Sequence, residues 1–194
     1  MDALFDEETR ACAADVPLVE VDAVDDPLDR LVERRVGDPL DKNTDVGAIN
    51  SRAQLEKIRE MTAYGVEEGA HLHQSQCALP AQGFFFPPTY FTEVAQSHRI
   101  AREEIFGPVL AVMTFRTADE AIEKANNLAY GLSAGVWTDK GAKIFAMTKR
   151  LRAGVVWANT FNKFDPTSPF GGYKESGFGR EGGIHGLEAY VELG

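Results

Sequence analysis

Glu104 and Phe106 stand two residues apart in the run Glu103–Val109, just ahead of Gly107-Pro108. An ionised carboxylate only accepts hydrogen bonds, so it can take both from the adjacent hydroxyls of a ribose. An aromatic ring beside it can pack against the sugar. On an extended segment, side chains two apart point the same way, which would bring acid and ring together. A surface acid and a core Phe before a turn is the plainer alternative, and spacing alone leaves both open. Three more rings, Phe161, Phe164 and Phe170, recur within residues 159–170. They could pack that segment onto the core or form an apolar sleeve that excludes water from a ligand.

Other reactive side chains carry weaker signals. Cys12 and Cys77 are the two thiols. A thiolate needs a helix dipole or cationic neighbours, and nothing near Cys12 suggests either. His71-x-His73 with Cys77 invites a metal reading, but no second ligand cluster accompanies it, so no metal site is expected. His98 and His185 stand alone. Lys174 could be mistaken for a base, but nothing in its surroundings marks a depressed pKa. Gly177-Phe178-Gly179-Arg180-Glu181-Gly182 spells GxGxxG. A dinucleotide fingerprint needs a preceding strand, a following helix and a later acid within one βαβ unit, and these are not expected here.

The elements that would position these residues follow from caps and periodicity. Residues 24–35 predict a helix with Val24, Leu28, Leu31 and Val32 inward, broken by Gly37-Asp38-Pro39. Ser51 with Gln54 fits a capping box opening a helix that carries Leu55, Ile58 and Thr62 on one face and ends around Gly65 to Gly69. Gly83 to Val94 reads as a short strand or extended segment. Val109 to Phe115 predicts a strand. Thr117 with Glu120 caps a helix with Ala121, Ile122, Ala125 and Leu128 inward. Leu132 to Thr138 predicts a strand, and Lys140 to Leu151 a helix with Ile144, Met147 and Leu151 on one stripe. Val155 to Ala158 predicts a buried strand, and 159–180 one long irregular loop. This alternation predicts an α/β fold, a mostly parallel sheet with flanking helices.

At 194 residues, with 44% hydrophobic and 26% charged content, the chain can bury one ordinary core. The net charge of −10 argues against nonspecific nucleic-acid binding, which needs basic surface. Residues 1–41 hold 13 of the 30 acids and four of the 20 bases, so the head is acidic and reads as a solvated segment. No apolar run is long enough for a membrane span, and the acidic start lacks the pattern of a signal peptide. Two cysteines make no disulfide framework, and a reducing cytoplasm is expected.

Two runs in this order, Glu103–Val109 and Pro169–Glu181, joined by Asn126–Leu132, resemble the C-terminal part of the catalytic domain of NAD(P)-dependent aldehyde dehydrogenases. Val36–Asp41, Thr44–Gly47, Glu68–Ala70 and Phe86–Thr89 extend the resemblance from roughly Leu28 to Tyr190. The wording of Tyr173–Gly183 is similar to the aldehyde dehydrogenase 16 branch. The resemblance implies that Glu104 and Phe106 contact the nicotinamide ribose, and that Asn159, Phe161, Phe164 and Phe170 line the substrate tunnel. It implies structural or interface roles for Arg180 and Glu181. Family catalysis uses a cysteine that attacks the aldehyde, hydride transfer to the nicotinamide, and a glutamate-activated water. Cys12, in Ala11-Cys12-Ala13-Ala14 ahead of Leu18-Val19-Glu20, resembles the family's nucleophile loop, with Thr9-Arg10 where Gly-Gln is expected. It is the candidate for a degraded nucleophile.

The family's general base, oxyanion Asn and Rossmann-type NAD-binding domain have no counterpart in this sequence. The expectation is therefore an acidic segment, 1–27, and a partial catalytic domain, 28–194. The intact family oxidises aldehydes to acids with NAD or NADP. This chain alone is expected to be inactive and to bind neither. The alternative is a non-catalytic domain that forms a homo-oligomer or docks onto a full-length homologue.

Overall fold

The computed structural model describes residues 10–13, 16–20 and 28–192. Its elements in chain order are β1 (Arg10–Ala13), β2 (Val16–Glu20), α1 (Asp29–Val32), α2 (Arg52–Glu67), β3 (His71–Gln74), β4 (Thr89–Thr92), α3 (Arg99–Arg102), β5 (Val109–Ala111) and β6 (Met113–Phe115). Then come α4 (Ala118–Asn126), β7 (Tyr130–Gly131), β8 (Ser133–Trp137), α5 (Gly141–Thr148), β9 (Val155–Ala158), β10 (Tyr173–Lys174) and α6 (Gly183–Leu187). They fall into two compact units, one built on residues 15–114 and the other on residues 115–194 with β1.

In the first unit, Ser51 caps α2 as expected, its Oγ accepting from the Gln54 N–H at 3.2 Å. The helix ends where glycine permits a left-handed residue: Gly69 has φ 95°, and the Ala70 N–H returns to the Gly65 carbonyl. The buried stripe is Leu55, Ile58, Met61 and Gly65. Thr62, expected on that stripe, is half-buried and turns its hydroxyl back to the Ile58 carbonyl. β3 runs antiparallel to β4, and β4 parallel to β5. Phe91 in β4 is wholly buried, and its ring and Ile100 of α3 crowd Gly65, where a methyl would come within 2.9 Å of both. Only a residue without a side chain lets α2 approach so closely. Leu28, Tyr90 and Val112 form a core cluster with Leu31, Val32 and Leu110 packed on it. Of the helix predicted over 24–35, residues 28–35 are described and only the four residues of α1 are helical, so the helix ends before Glu33; residues 24–27 lie outside the described residues.

The strand predicted over Val109–Phe115 is divided. β5 joins β4 and β6 lies beside β2, with Val112 between them donating to the Phe91 carbonyl at 2.9 Å. The expected ladder from this strand through α4 to β8 is thus not one continuous parallel run.

In the second unit, β8 pairs antiparallel with β1, Cys12 opposite Gly135, and parallel with β9. Thr117 caps α4, its Oγ1 accepting from the Glu120 N–H, and Ala121, Ile122 and Ala125 are buried. Leu128 falls beyond the helix end and is half-buried. α5 stops at Thr148, shorter than predicted, with Met147 buried; Leu151 is buried just past it. Among the described pairings, β4–β5 and β8–β9 are parallel, while β1–β8, β3–β4 and β7–β10 are antiparallel. The segment 159–180 is not wholly irregular: it holds β10, and Phe170 and Glu181 exchange two backbone bonds of 2.7 Å.

Candidate functional site

Two groups of candidate side chains lie in the two units, and each is built by its own elements. In the first, residues 104–106 are fixed from below by α2. Lys57 Nζ donates to the Glu104 carbonyl at 3.0 Å. Gln54 Nε2 donates to the Ile105 carbonyl at 2.7 Å and to that of Phe106 at 3.1 Å. Ile105 is buried, Glu104 is half-buried, and Phe106 stands 63% exposed. The extended geometry assumed for Glu-x-Phe fails at Phe106, which adopts φ 55°, a conformation uncommon for a bulky residue. The ring is not a core residue. Its centroid lies 5.6 Å from Lys57 Nζ, within cation–π range.

Gln54 and Lys57 are the residues that sequence reasoning missed here. Gln54 was legible as a capping partner, but its amide reaches across to a strand-side segment instead of back to Ser51. Spacing Lys57 three residues further along α2 was the available signal: Gln54 and Lys57 share one helix face.

In the second unit, the candidate wall forms an interlocked ring group. Phe161 packs edge-on against Trp157 at 4.8 Å between centroids, and lies 6.3 Å from Trp137. Phe164 meets Trp157 at 5.3 Å and Phe170 at 4.9 Å, both at 87°. Trp157 is buried, whereas Phe164 is 57% exposed. The structure brings Phe161, Phe164 and Phe170 together and adds two tryptophans from β8 and β9 that the sequence reading did not single out. Asn159, also assigned to the wall, spends its amide elsewhere. Its Oδ1 accepts from the Thr138 N–H at 2.9 Å and its Nδ2 donates to the Thr138 carbonyl at 3.0 Å. Trp157 Nε1 donates to the Lys163 carbonyl at 3.3 Å. The Asp165 carboxyl is held below its usual range by the Thr167 N–H and hydroxyl.

The Pro169–Glu181 run builds a frame. Lys174 Nζ donates to the carbonyls of Asn126 and Leu128, each at 2.9 Å, and so caps the C-terminal end of α4. Burial, reinforced by the charge of Arg152, lowers its pKa. That corrects the sequence reading of Lys174 as unperturbed, although its bonds make it a cap. The Ser176 Oγ accepts from the Gly131 N–H at 3.0 Å. Asn126 bonds both the Arg150 carbonyl and the Arg152 N–H. The two runs Asn126–Leu132 and Pro169–Glu181 are therefore stapled together. Arg180 Nη1 donates to the carbonyls of Gly172, Phe178 and Gly179. In the GxGxxG stretch the two-residue β10 precedes and the five-residue α6 follows, a short strand the sequence reading lacked. Its Gly182, at φ 72°, lies against the Ser168 carbonyl, so the glycine serves close approach of the chain to itself.

His73 stacks on the buried Tyr90 at 4.4 Å, with Nε2 3.0 Å from Thr92 Oγ1. Among the described residues no cluster of three metal-ligating side chains exists. His98 Nδ1 accepts from the Ala95 N–H at 3.3 Å, and His185 Nδ1 lies 3.6 Å from Glu188. Cys77 is a half-buried free thiol. Cys12 lies in β1, and its side chain is outside the described residues.

This α/β chain, with the runs Asn126–Leu132 and Pro169–Glu181 stapled together, superposes on part of solved aldehyde dehydrogenases. The aldehyde dehydrogenase family model matches residues 3–194, and the chain belongs to that family. The match takes in the acidic head. An aldehyde dehydrogenase of Enchytraeus buchholzi is 44% identical over 94% of this chain and 37% of its own length. Human retinal dehydrogenase 2 is 44% identical over 86% of this chain and 32% of its own. Among solved structures, an NAD-dependent aldehyde dehydrogenase from Sinorhizobium meliloti superposes with TM-score 0.85 at 39% identity, covering 91% of this chain and 36% of that one. A betaine aldehyde dehydrogenase from Staphylococcus aureus in complex with NAD+ gives 0.85 at 35% identity, covering 91% and 37%. The chain thus spans less than two fifths of the length of these relatives. Among the described residues no helix is long and apolar enough to cross a membrane.

Proposed function

We propose that this chain supplies the nicotinamide-side contact and the substrate wall for oxidation of an aldehyde to a carboxylic acid with NAD or NADP. The observation that carries this reading is the way α2 fixes the 104–106 backbone through Gln54 and Lys57 while leaving Phe106 exposed. The donor set fits a ribose. The half-buried Glu104 carboxylate accepts hydrogen bonds, and a ribose diol offers two donors. The exposed Phe106 ring offers a face to the sugar. A bound nicotinamide would supply the hydride acceptor there. The residues of this chain orient it and hold the substrate tail on Phe161, Phe164 and Phe170, with Asn159 bracing the end of β8 behind them.

In this reading the isolated chain, residues 28–194 forming its partial catalytic domain, does not turn over. Cys12 is its nucleophile candidate. The setting is cytoplasmic, on the absence of a disulfide framework. Placement in the aldehyde dehydrogenase 16 branch rests on the wording of Tyr173–Gly183 alone. The test is to mix the purified chain with NAD or NADP and several aldehydes and follow the absorbance of reduced cofactor. Rates ordinary for the family would refute the inactive reading.

A second reading is favoured by one observation. Phe178, Ile184, Leu187, Tyr190 and Val191 are exposed, Phe178 at 89% and Tyr190 at 86%. Apolar surface of this kind marks contact sites. In that reading the chain is a non-catalytic domain that forms a homo-oligomer or docks onto a full-length homologue. Native mass spectrometry showing only monomer, alone and with such a homologue, would remove it.

A further inference from the structure

Helix α5 carries apolar side chains on two sides. It packs on β8 and β9, with Met147 and, just past its end, Leu151 buried. On its outer side Ala142, Phe145, Ala146 and Lys149 follow the spacing of one helix stripe and are all exposed, Phe145 at 71%. A helix apolar on both sides is ordinarily covered on both. The stripe also lies in a basic stretch. Residues 139–152 hold Lys140, Lys143, Lys149, Arg150 and Arg152 against the single acid Asp139, in a chain of net charge −10. Arg150 is engaged by Asp119, and Lys140 and Lys149 are exposed on either side of Phe145 along the chain. The face therefore fits an acidic segment with an apolar centre.

Residues 1–9 of this chain have that composition. Asp2, Asp6, Glu7 and Glu8 are acidic, Leu4 and Phe5 are apolar, and the nine hold no Lys, Arg or His. They lie outside the described residues, but the point where they join the fold is described. β1 starts at Arg10, opposite Trp137 of the antiparallel β8. The start of β1 is thus at the end of the sheet from which β8 continues through Thr138, Asp139 and Lys140 into α5. Nine residues span at most about 30 Å, and the eight of α5 about 12 Å, so the whole stripe is within reach. Read back from Arg10, the order is acids (Glu8, Glu7, Asp6), apolar pair (Phe5, Leu4), acid (Asp2). Read forward along α5 it is Lys140, Phe145, Lys149. The two orders match.

We propose that residues 1–9 cover the outer face of α5, with Phe5 and Leu4 against Phe145 and the acids beside the flanking lysines. Attachment at Arg10 makes the contact intramolecular, at an effective concentration on the order of millimolar, so a few ion pairs and one apolar contact suffice.

The experiment is zero-length carbodiimide cross-linking of the full chain, which joins a carboxylate to an amine only when the two touch, with links mapped by peptide mass spectrometry. Species of monomer mass should contain links from Asp6, Glu7 or Glu8 to Lys140 and from Asp2 to Lys149. The Glu120–Lys124 ion pair, 2.7 Å apart, is the internal reference. Phe145→Ser and Phe5→Ser should each cut the links from residues 2–8 by roughly two- to tenfold and leave the reference link unchanged. Phe145 is exposed, so its replacement keeps the fold, which far-UV circular dichroism checks. Links found only in species of dimer mass would put a second copy in this place and overturn the proposal. So would links scattered equally over Lys42, Lys57 and Lys163, no links from residues 2–8 beside a formed reference link, or full yield in both serine variants. No cofactor or aldehyde enters the test, so its result stands apart from the oxidative reading.

Discussion

Gly154→Ala should unseat the frame that carries Phe170. A Cβ built at Gly154 would fall inside the van der Waals sphere of the Gly171 carbonyl oxygen, with the Leu132 carbonyl 3.2 Å away on another side. The obstacle is backbone, so no rotamer change relieves it. Gly171 is itself hemmed in, because a Cβ on it would strike the Gly179 carbonyl. The segment must therefore retreat as a body. Retreat breaks the two Phe170–Glu181 backbone bonds or the β7–β10 pairing. Overpacking costs about 1–3 kcal/mol, and each net backbone bond lost adds about 0.5–1.5 kcal/mol. The expected destabilisation is about 2–6 kcal/mol, a large share of an ordinary domain's stability. Urea unfolding followed by tryptophan fluorescence measures it. Two neighbours serve as controls. Gly179→Ala meets nothing within 4 Å and should stay within about 1 kcal/mol. Gly141→Ala, in open space at the start of α5, should be neutral to stabilising by up to about 1 kcal/mol. A Gly154→Ala protein as stable as these two would refute the close-approach reasoning.

Three further predictions follow from named contacts. Gln54→Ala removes both bonds to the Ile105 and Phe106 carbonyls, so amide hydrogen exchange across 104–107 should quicken by about tenfold; unchanged exchange would mean α2 does not hold that segment. Lys174→Met leaves two carbonyls at the end of α4 without their donor and should cost about 1–3 kcal/mol in urea unfolding. Because the folded Lys174 pKa lies below its ordinary 10.5, the unfolded chain binds the extra proton in that window; wild-type stability should rise as pH climbs toward 10.5, and the rise should be smaller in the variant. Glu120 is held below its ordinary 4.5 by Lys124 and then by the Arg116 N–H, so its contribution is present above pH 4.5 and lost as pH falls through the folded value; Glu120→Gln should flatten the acid limb of thermal unfolding, and an unaltered limb would contradict this.

What the sequence made legible was local. Ser51 and Thr117 cap the helices they were expected to cap, because the capping bond spans three residues and is written in the chain itself. The reciprocal halves were not legible. Gln54 spends its amide on residues 51 and 52 positions away, and Glu120 reaches the Arg116 N–H instead of that of Thr117. The break at Val112 was hidden as well, since Val109–Phe115 is uniformly apolar and the division comes from Val112 bonding the Phe91 carbonyl. The rings at 161, 164 and 170 were visible as a pattern, but Trp137 and Trp157 sit on strands where an aromatic reads as ordinary core. The lowered pKa of Lys174 is a burial effect, and burial on a glycine-rich segment leaves no periodic trace. The family kinship was legible because its runs are literal strings of residues.

The proposed role of Glu104 as the cofactor contact is tested most directly in an active enzyme. The direct measurement is steady-state kinetics of an in-frame fusion that supplies the remaining part of the Enchytraeus relative to this chain. Glu104→Ala should raise KM for NAD by roughly ten- to a hundredfold, the worth of a charged hydrogen bond, and leave KM for an aromatic aldehyde nearly unchanged. An active fusion in which Glu104→Ala leaves the NAD dependence untouched would contradict the account.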